Sequence, residues 1–396
     1  MVASVQSITI LGATGSIGVN TLRVIADHPN QFKVFALTAN SNIDLLFAQC
    51  VQFVPEYAVL GNEHSAERLS SQLKAAKIST EVVHGAQALA MVASASQVNT
   101  VMAAIVGGAG LLPTLAAATA GKKILLANKE ALVMAGELFL EAAYTNQAKV
   151  IPIDSEHNAI FQCLPMDAQG RFSNNLETGF EKIVLTSSGG PFRDLPLAEF
   201  ANVTPTAACN HPNWKMGQKI SVDSATLINK ALELIEASYL FATPSNKIEI
   251  LIHPQSIVHS MVYYCDGSVL AQLGNPDMRT PIAYGLAWPK RIQSNVAPLD
   301  LVSIGALDFY PPDISRFPGL KLGRAVAEAK GTAPVIFNAA NEIAVAAFLR
   351  GQLSFSQIPV IIDTVLQKLG DGRIHSLEEV LETDLLARQI SMDSLP

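Results

Sequence analysis

Apolar residues gather unevenly along this chain of 396 residues. From Ser7 to about Ile153 they form short runs rich in β-branched side chains, at 8–11, 34–38, 57–60, 82–84, 101–106, 123–127 and 149–153, each followed by a stretch with helical spacing. Alternation of this kind builds a parallel sheet with helices on both faces. A polar, Gly-rich stretch follows over roughly 166–218, containing Ser187-Ser188-Gly189-Gly190-Pro191 and His211-Pro212-Asn213-Trp214. It is expected to be loop, and a loop of that length in a compact enzyme often serves as a lid. A helix is expected to open at Asp223-Ser224, where either residue can cap it, and to run to about Phe241. Three more strands are expected at 248–253, 256–264 and 269–273.

Prolines 289, 298, 311, 312 and 318 mark 289–319 as a linker. Beyond Leu320 the spacing is helical, with Pro334 near the start of a helix that continues through Ala339-Ala340-Asn341-Glu342. The chain therefore divides into 1–152, 153–288, the linker 289–319 and a helical 320–396, an α/β protein with no internal repeat and no low-complexity tract.

Composition narrows the function classes. A chain this long exceeds one ordinary core. A formal net charge of -7 argues against non-specific nucleic-acid binding and against an anionic membrane surface, so any phosphate must be held by local positive groups. Residues 82–121 carry no Asp, Glu, Lys or Arg, but Gly107, Gly108, Gly110 and Pro113 interrupt them. A buried strand, a glycine loop and a small-residue helix account for that stretch better than a membrane span. Cys50, Cys163, Cys209 and Cys265 are scattered, so neither a zinc site nor a disulfide framework is indicated, and a reducing interior suits them. Met1 to Ser7 show no basic region followed by an apolar one, so no targeting segment is read there and a cytoplasmic location is expected.

Three groups of residues carry chemistry. Ile8-Thr9-Ile10-Leu11 leads into Gly12-Ala13-Thr14-Gly15-Ser16-Ile17-Gly18, a strand, a glycine turn and a helix start, the arrangement of a Rossmann-like dinucleotide site. After the second strand, Asn40, Ser41 and Asn42 offer no carboxylate for a ribose 2′-hydroxyl and no Arg or Lys for a 2′-phosphate, but backbone amides with these side chains can receive a phosphate, which favours NADP modestly. Asp154 and Glu156, one residue apart just past a predicted strand, project to the same side, with Ser155 turned away, or lifted toward a neighbouring group if the chain already bends there. Two like charges so close share a cation or a proton, unless they are solvated surface acids. Further on, Asn229, Lys230 and Glu233 share one face of the expected helix, and Glu233 would complete a hard-cation site for Mg²⁺ or Mn²⁺. Lys230 and Glu233 equally suit an ordinary helix-surface pair. Lys129, between Asn128 and Glu130 at the end of a predicted strand, falls at the same sheet edge, placed to handle a proton or steady an oxyanion, or simply to cap a helix.

The motifs G-A-T-G-S-I-G, L-A-N-K-E, I-P-I-D-S-E-H, S-S-G-G-P-F, H-P-N-W-x-M-G, D-S-A-T-x-x-N-K-x-x-E and N-A-A-N-E follow one another over nearly the whole chain. In this order they closely resemble the 1-deoxy-D-xylulose 5-phosphate reductoisomerase family. The resemblance implies an NADPH-binding domain, a central α+β catalytic and dimerisation domain with a lid loop, and a C-terminal helical domain. It implies conversion of 1-deoxy-D-xylulose 5-phosphate to 2-C-methyl-D-erythritol 4-phosphate, in the non-mevalonate isoprenoid route, with NADPH and Mg²⁺ or Mn²⁺. Carried onto this sequence, it makes Asp154, Glu156 and Glu233 metal ligands, and Ser188, Ser224, Asn229 and Lys230 phosphate ligands, helped by a helix N-terminus near Ser224. Ser155 and Lys129 would bond substrate hydroxyls, His211 would close over the substrate and Trp214 would shield it. Thr14, Gly15, Ser16, Ile17, Asn40, Ser41, Asn42, Asn128, Glu130, Met216 and Gly217 would meet the cofactor. A homodimer is implied, with 256–273 in the sheet that meets the partner. Many members carry Gly-Lys-Asn where this chain has Asn40-Ser41-Asn42, which bears on the strength of the NADPH preference. Two rivals remain at this level: a dehydrogenase of another phosphorylated metabolite, and a nucleotide-sensing protein that has lost turnover.

Overall fold

The structure is a computed structural model and describes residues 5–172, 178–214 and 216–396. The first four residues, part of the stretch read for a targeting segment, and residues 173–177 and 215 of the expected 166–218 loop lie outside the described residues.

Seven strands form the first sheet: β1 (Gln6–Leu11), β2 (Phe32–Thr38), β3 (Tyr57–Leu60), β4 (Glu81–His84), β5 (Thr100–Ala103), β6 (Lys123–Leu126) and β7 (Lys149–Pro152). Their order is β4-β3-β2-β1-β5-β6-β7 and every pairing is parallel. Successive side chains enter opposite cores: Ile8, Ile10, Met102 and Leu125 on one face, Leu11, Val101, Ala103 and Leu126 on the other. Burial on both faces explains why these strands are apolar runs with no polar alternation. The chain reverses its direction of travel across the sheet between β1 and β5. A ligand crevice belongs at that switch point, outside the carboxyl ends of the strands.

The second sheet contains β8 (Phe180–Ser187), β9 (Ile248–Ile252), β10 (Val258–Tyr264) and β11 (Val269–Leu273), in the order β11-β10-β8-β9. Strand β8 corrects the reading of 166–218 as loop throughout. Its Ile183, Val184 and Leu185 are buried, and Thr186 Oγ1 donates to the main-chain oxygens of Val258 and His259. Glycines and serines on either side hid a central strand whose apolar run is short. The Arg279–Ala287 helix ties this region to the first sheet, since a Cβ on Gly285 would lie 2.7 Å from Ile153 Cδ1.

Around the expected Asp223–Phe241 helix the structure also differs. Two helices, Gln218–Ala225 and Ile228–Leu240, are separated by Leu227 in the left-handed region at φ 58°. Thr226 Oγ1 bonds the carbonyls of Val222 and Asp223 and so closes the first helix. Ser224 therefore sits near a helix C-terminus, and the N-terminus that faces the polar cluster is that of Ile228–Leu240. Gly190 packs against the end of the first helix, where a Cβ would lie 2.7 Å from Ser224 O.

Segment 289–319 carries one short helix, Leu301–Ile304, and a bridge from Tyr310 to Ile252. Helices Gly319–Ala329, Ala333–Leu349, Ile358–Leu369 and Leu377–Asp393 complete the chain. Among the described residues no helix is long and apolar enough to cross a membrane, and 82–121 is resolved into strand, helix, strand and helix.

Candidate active site

Two of the three loop glycines are dictated by packing. Gly12 has φ 83° and a Cβ on it would lie 2.6 Å from Ala104 O, while one on Gly18 would lie 2.4 Å from Gly12 O. Gly15, which precedes the Ser16–Asp27 helix, is different: a Cβ there would meet only Gly12 O, at 3.4 Å. The bare backbone at Gly15 thus leaves the helix N-terminus open to a pyrophosphate, the fit expected of a dinucleotide site. Ser16, Ile17, Asn20 and Arg23 from this helix line a cavity of about 600 Å³ that extends to the acidic cluster.

Strands β6 and β7 deliver the next groups to the same edge. Asn128 caps the Lys129–Thr145 helix by accepting from the Ala131 N–H, which puts Lys129 in its first turn. Strand β7 ends at Pro152, and Asp154 is the N-cap of the Ser155–Cys163 helix. Asp154 and Glu156 are therefore not on a strand end as the i, i+2 spacing suggested; they converge from a helix cap and first turn. The Asp154 side chain makes no capping bond and instead meets Lys129 Nζ at 2.5 Å.

Glu233 rises from the Ile228–Leu240 helix between two lysines. Lys129 Nζ donates to Glu233 Oε1 at 3.0 Å and to Asn229 Oδ1 at 2.9 Å. Lys230 Nζ donates to Glu156 Oε1 at 2.6 Å and also holds Glu233 Oε2. Lys230 and Glu233 are 3% and 1% exposed, so they are not the surface pair that helix spacing alone allows. One oxygen from each of Asp154, Glu156 and Glu233 falls within 4.8 Å of the others. An all-carboxylate set suits Mg²⁺ or Mn²⁺. With Glu156 ionised, three carboxylates against two ammonium groups leave one negative charge, a balance that favours a dication arriving with a phosphorylated anion.

Asp154 also lies with His157 and Glu236 in a second grouping of the same span. His157 and Glu236 are sealed at 0% and 1% exposure, and His157 Nε2 bonds the Glu233 main-chain oxygen at 2.9 Å. Because that oxygen only accepts, Nε2 carries the proton. This pair backs the cluster, whereas the three-carboxylate set opens on the cavity.

Burial alone would push the Lys129 ammonium down, but Asp154 and Glu233 reverse this and hold it well above the ordinary lysine value. Burial pushes Glu156 up to about 7, reinforced by Glu233 and opposed by Lys230. In the metal-free fold this proton's stabilising contribution is full below the ordinary carboxyl range and is lost as pH rises through about 7. A cation taking Glu156 as a ligand would have to displace this proton, and in that case Mn²⁺ affinity is expected to weaken about tenfold per pH unit below that value and to level off above it. Mn²⁺ titration by electron paramagnetic resonance from pH 5.5 to 8.5 checks this, and a flat profile contradicts it.

His211 and Trp214 close the cavity from the polar segment. His211 Nδ1 accepts from the Asn213 and Trp214 N–H groups at 3.1 and 3.0 Å, so the ring proton sits on Nε2, which donates to Ser188 Oγ at 2.9 Å. Burial lowers His211 to about 4, leaving it neutral near pH 7. Ser188 Oγ also accepts from the Gly190 N–H, so its own hydrogen is free to point into the cavity. Asn213 anchors the segment by donating to Pro254 O and Ser256 Oγ.

The cavity gathers Ser16, Ile17, Lys129, Asp154, Ser155, Glu156, Ser188, His211, Trp214, Met216, Gly217, Ser224, Asn229, Lys230 and Glu233 from the residues expected to act. Thr14 and Gly15 lie on the glycine loop, and Asn40, Ser41 and Asn42 at the end of β2, outside its lining; Asn42 caps the Ile43–Phe53 helix. Asn128 and Glu130 are also outside its lining: Asn128 Nδ2 ties down the Ile105 and Gly107 carbonyls, and Glu130 is 2.7 Å from Lys219 Nζ. Sequence reasoning assigned no role to Arg23, Asn213, Ser256, His259, Pro276, Met278 or Arg279, which also line the cavity. Asn213 was within reach, as the polar centre of the H-P-N-W motif.

Residues 8–136 match the family model for 1-deoxy-D-xylulose 5-phosphate reductoisomerase, and 150–241 and 273–390 match its two C-terminal domain models. A reductoisomerase of that name from Cellvibrio japonicus is 57% identical over 391 residues, 98% of each chain. One from Dechloromonas aromatica is 57% identical over 392 residues, covering 99% of this chain and 98% of the relative. A crystal structure of DOX-P reductoisomerase in complex with NADPH, fosmidomycin and magnesium superposes with a TM-score of 0.93 at 47% identity over 98% of both chains. The Zymomonas mobilis enzyme in complex with NADPH gives 0.90 at 44% identity, over 99% of this chain and 98% of that one. The sheet order, the carboxylate cluster and this full-length similarity place the chain in the 1-deoxy-D-xylulose 5-phosphate reductoisomerase family.

Proposed function

We infer that the protein converts 1-deoxy-D-xylulose 5-phosphate to 2-C-methyl-D-erythritol 4-phosphate, consuming one NADPH and one proton, in isoprenoid precursor synthesis. The observation that carries this reading is one cavity running from the open N-terminus behind Gly15 to the Asp154, Glu156 and Glu233 carboxylates. A solved relative with NADPH and magnesium supports the same pairing of ligands.

Asp154, Glu156 and Glu233 hold the cation, which when bound supplies Lewis-acid stabilisation of the oxyanion that develops on the substrate. Ser188, Ser224, Asn229 and Lys230 take the phosphate, with the N-terminus of the Ile228–Leu240 helix behind Asn229 and Lys230. Lys129, charged and held by Asp154, Asn229 and Glu233, exchanges one of these three bonds to donate to a substrate oxygen. Ser155 bonds a second hydroxyl. His211 keeps Ser188 Oγ aimed at the phosphate, and Trp214 excludes water from the bound ketose. Met216 and Gly217, at the lid's far end, border the space where the nicotinamide meets the substrate.

Trp214→Ala is expected to raise KM for the ketose phosphate about tenfold while NADPH binding changes less than about twofold. Equal losses for both ligands count against its place over the substrate. Edge strand β11 exposes Val269 and Leu270, which supports a homodimer formed through 256–273; a solution mass measurement decides it. The reaction itself is tested by following NADPH absorbance with 1-deoxy-D-xylulose 5-phosphate and Mg²⁺. Oxidation that needs both supports the reading, and oxidation indifferent to either one overturns it.

A further inference from the structure

The Asn338-Ala339-Ala340-Asn341-Glu342 stretch has no part in the site above, yet Asn338 and Asn341 are fully buried in the Ala333–Leu349 helix. That helix packs against both the Lys129–Thr145 and Gln218–Ala225 helices. Asn341 Nδ2 donates to Asp223 Oδ1 at 2.9 Å. The other Asp223 oxygen is 2.9 Å from Lys219 Nζ, and Lys219 Nζ reaches Glu130 Oε1 at 2.7 Å. Asp223 is 1% and Glu130 4% exposed. Each acid adjoins a residue of the cavity wall: Glu130 follows Lys129, and Asp223 precedes Ser224.

We propose that Lys219 is a positioning residue of the substrate site, cross-linking the helix that carries Lys129 to the helix that carries Ser224, with Asn341 fixing the carboxylate it grips. Two buried carboxylates sharing one ammonium group are a poor source of stability, since well-packed apolar side chains do as well or better. What such a triad supplies is geometry. Its place fits that role, because Lys219 lies two residues after Gly217, where the lid segment runs into the helix. The same C-terminal helix reaches the cofactor side. Glu342 accepts from Asn338 and from Arg388, and a Cβ on Gly107, in the loop after β5, would lie 2.8 Å from Glu342 Oε1. The C-terminal helices thus brace both halves of a site to which they contribute no lining residue.

The proposal rests on the cavity being the ketose-phosphate site, and the experiment separates the two. Wild-type protein, Lys219→Met, Lys219→Arg and Asn341→Ala are compared for KM and kcat with 1-deoxy-D-xylulose 5-phosphate and for NADPH affinity by fluorescence. Lys219→Met is expected to raise KM about tenfold with NADPH affinity changed less than about twofold, and Lys219→Arg to bring KM back within about threefold of wild type. Asn341→Ala leaves the ion pairs in place and is expected to raise KM about threefold, so it carries the test if Lys219→Met does not fold. Unchanged KM in a folded variant, equal losses for both ligands, or failure of Arg to rescue overturns the proposal. A wild-type protein without substrate-dependent NADPH oxidation overturns the site reading, and this proposal with it.

Discussion

Glu233→Gln is expected to lower metal-dependent turnover by about three orders of magnitude or more while NADPH still binds. Glu233 is the one carboxylate held by both lysines, at 1% exposure, so its charge organises the cluster as well as serving the cation. The amide is nearly isosteric, and the loss therefore reports charge and not volume. Asp154→Asn is expected to behave alike, because Asp154 withholds its side chain from the helix cap and commits it to the cluster. NADPH binding survives in both because the glycine loop draws its shape from Gly12, Ala104 and Gly18, with no contribution from the carboxylates. Near-normal turnover in either variant would make the metal assignment wrong.

Lys230→Met produces the second large effect, and it has two parts. Lys230, 3% exposed, neutralises Glu156 and Glu233, and removing it strands buried charge at a cost of about 3–5 kcal/mol in the metal-free fold. A cation restores much of that balance, so Mg²⁺ is expected to raise Tm by more in the variant than in wild type. The phosphate also loses its charged donor, and KM for the ketose phosphate is expected to rise about a hundredfold. Calorimetry with and without Mg²⁺, together with steady-state kinetics, reads both parts. An equal Mg²⁺ shift in the two proteins, or a KM within about threefold of wild type, contradicts the role given to Lys230.

The parallel sheet and its glycine turn were legible because their signals are local. Strands buried on both faces must be apolar runs, and Gly12 and Gly18 occupy positions where backbone atoms leave no room for a Cβ. The pairing of Asp154 with Glu156 was legible as chemistry but not as geometry. Period-2 spacing and a helix cap bring i and i+2 carboxylates together equally well, and the strand ends at Pro152, one residue early. Strand β8 was hidden because a central strand with a short apolar run, set between glycine- and serine-rich turns, lacks the alternation that marks a half-buried one. The break at Leu227 had no sequence signal at all, since leucine rarely adopts positive φ and the close approach of Gly190 to Ser224 beside it is tertiary. The resemblance assigns Glu130 to the cofactor; its ion pair with Lys219, 89 positions away, was not legible. Long-range pairs of that kind, like His157 with Glu236, are set by how helices pack and leave no periodic trace.

A ketose phosphate whose carbon skeleton is rearranged before reduction is the central claim, and carbon connectivity tests it most directly. 1-Deoxy-D-xylulose 5-phosphate labelled with ¹³C at both C3 and C4 would be incubated with the protein, NADPH and Mg²⁺, and the product examined by ¹³C NMR. Conversion to 2-C-methyl-D-erythritol 4-phosphate separates those two carbons, so their one-bond coupling is expected to vanish as NADPH is consumed. Coupling that persists in a reduced product would mean hydride transfer without rearrangement, and would contradict the account.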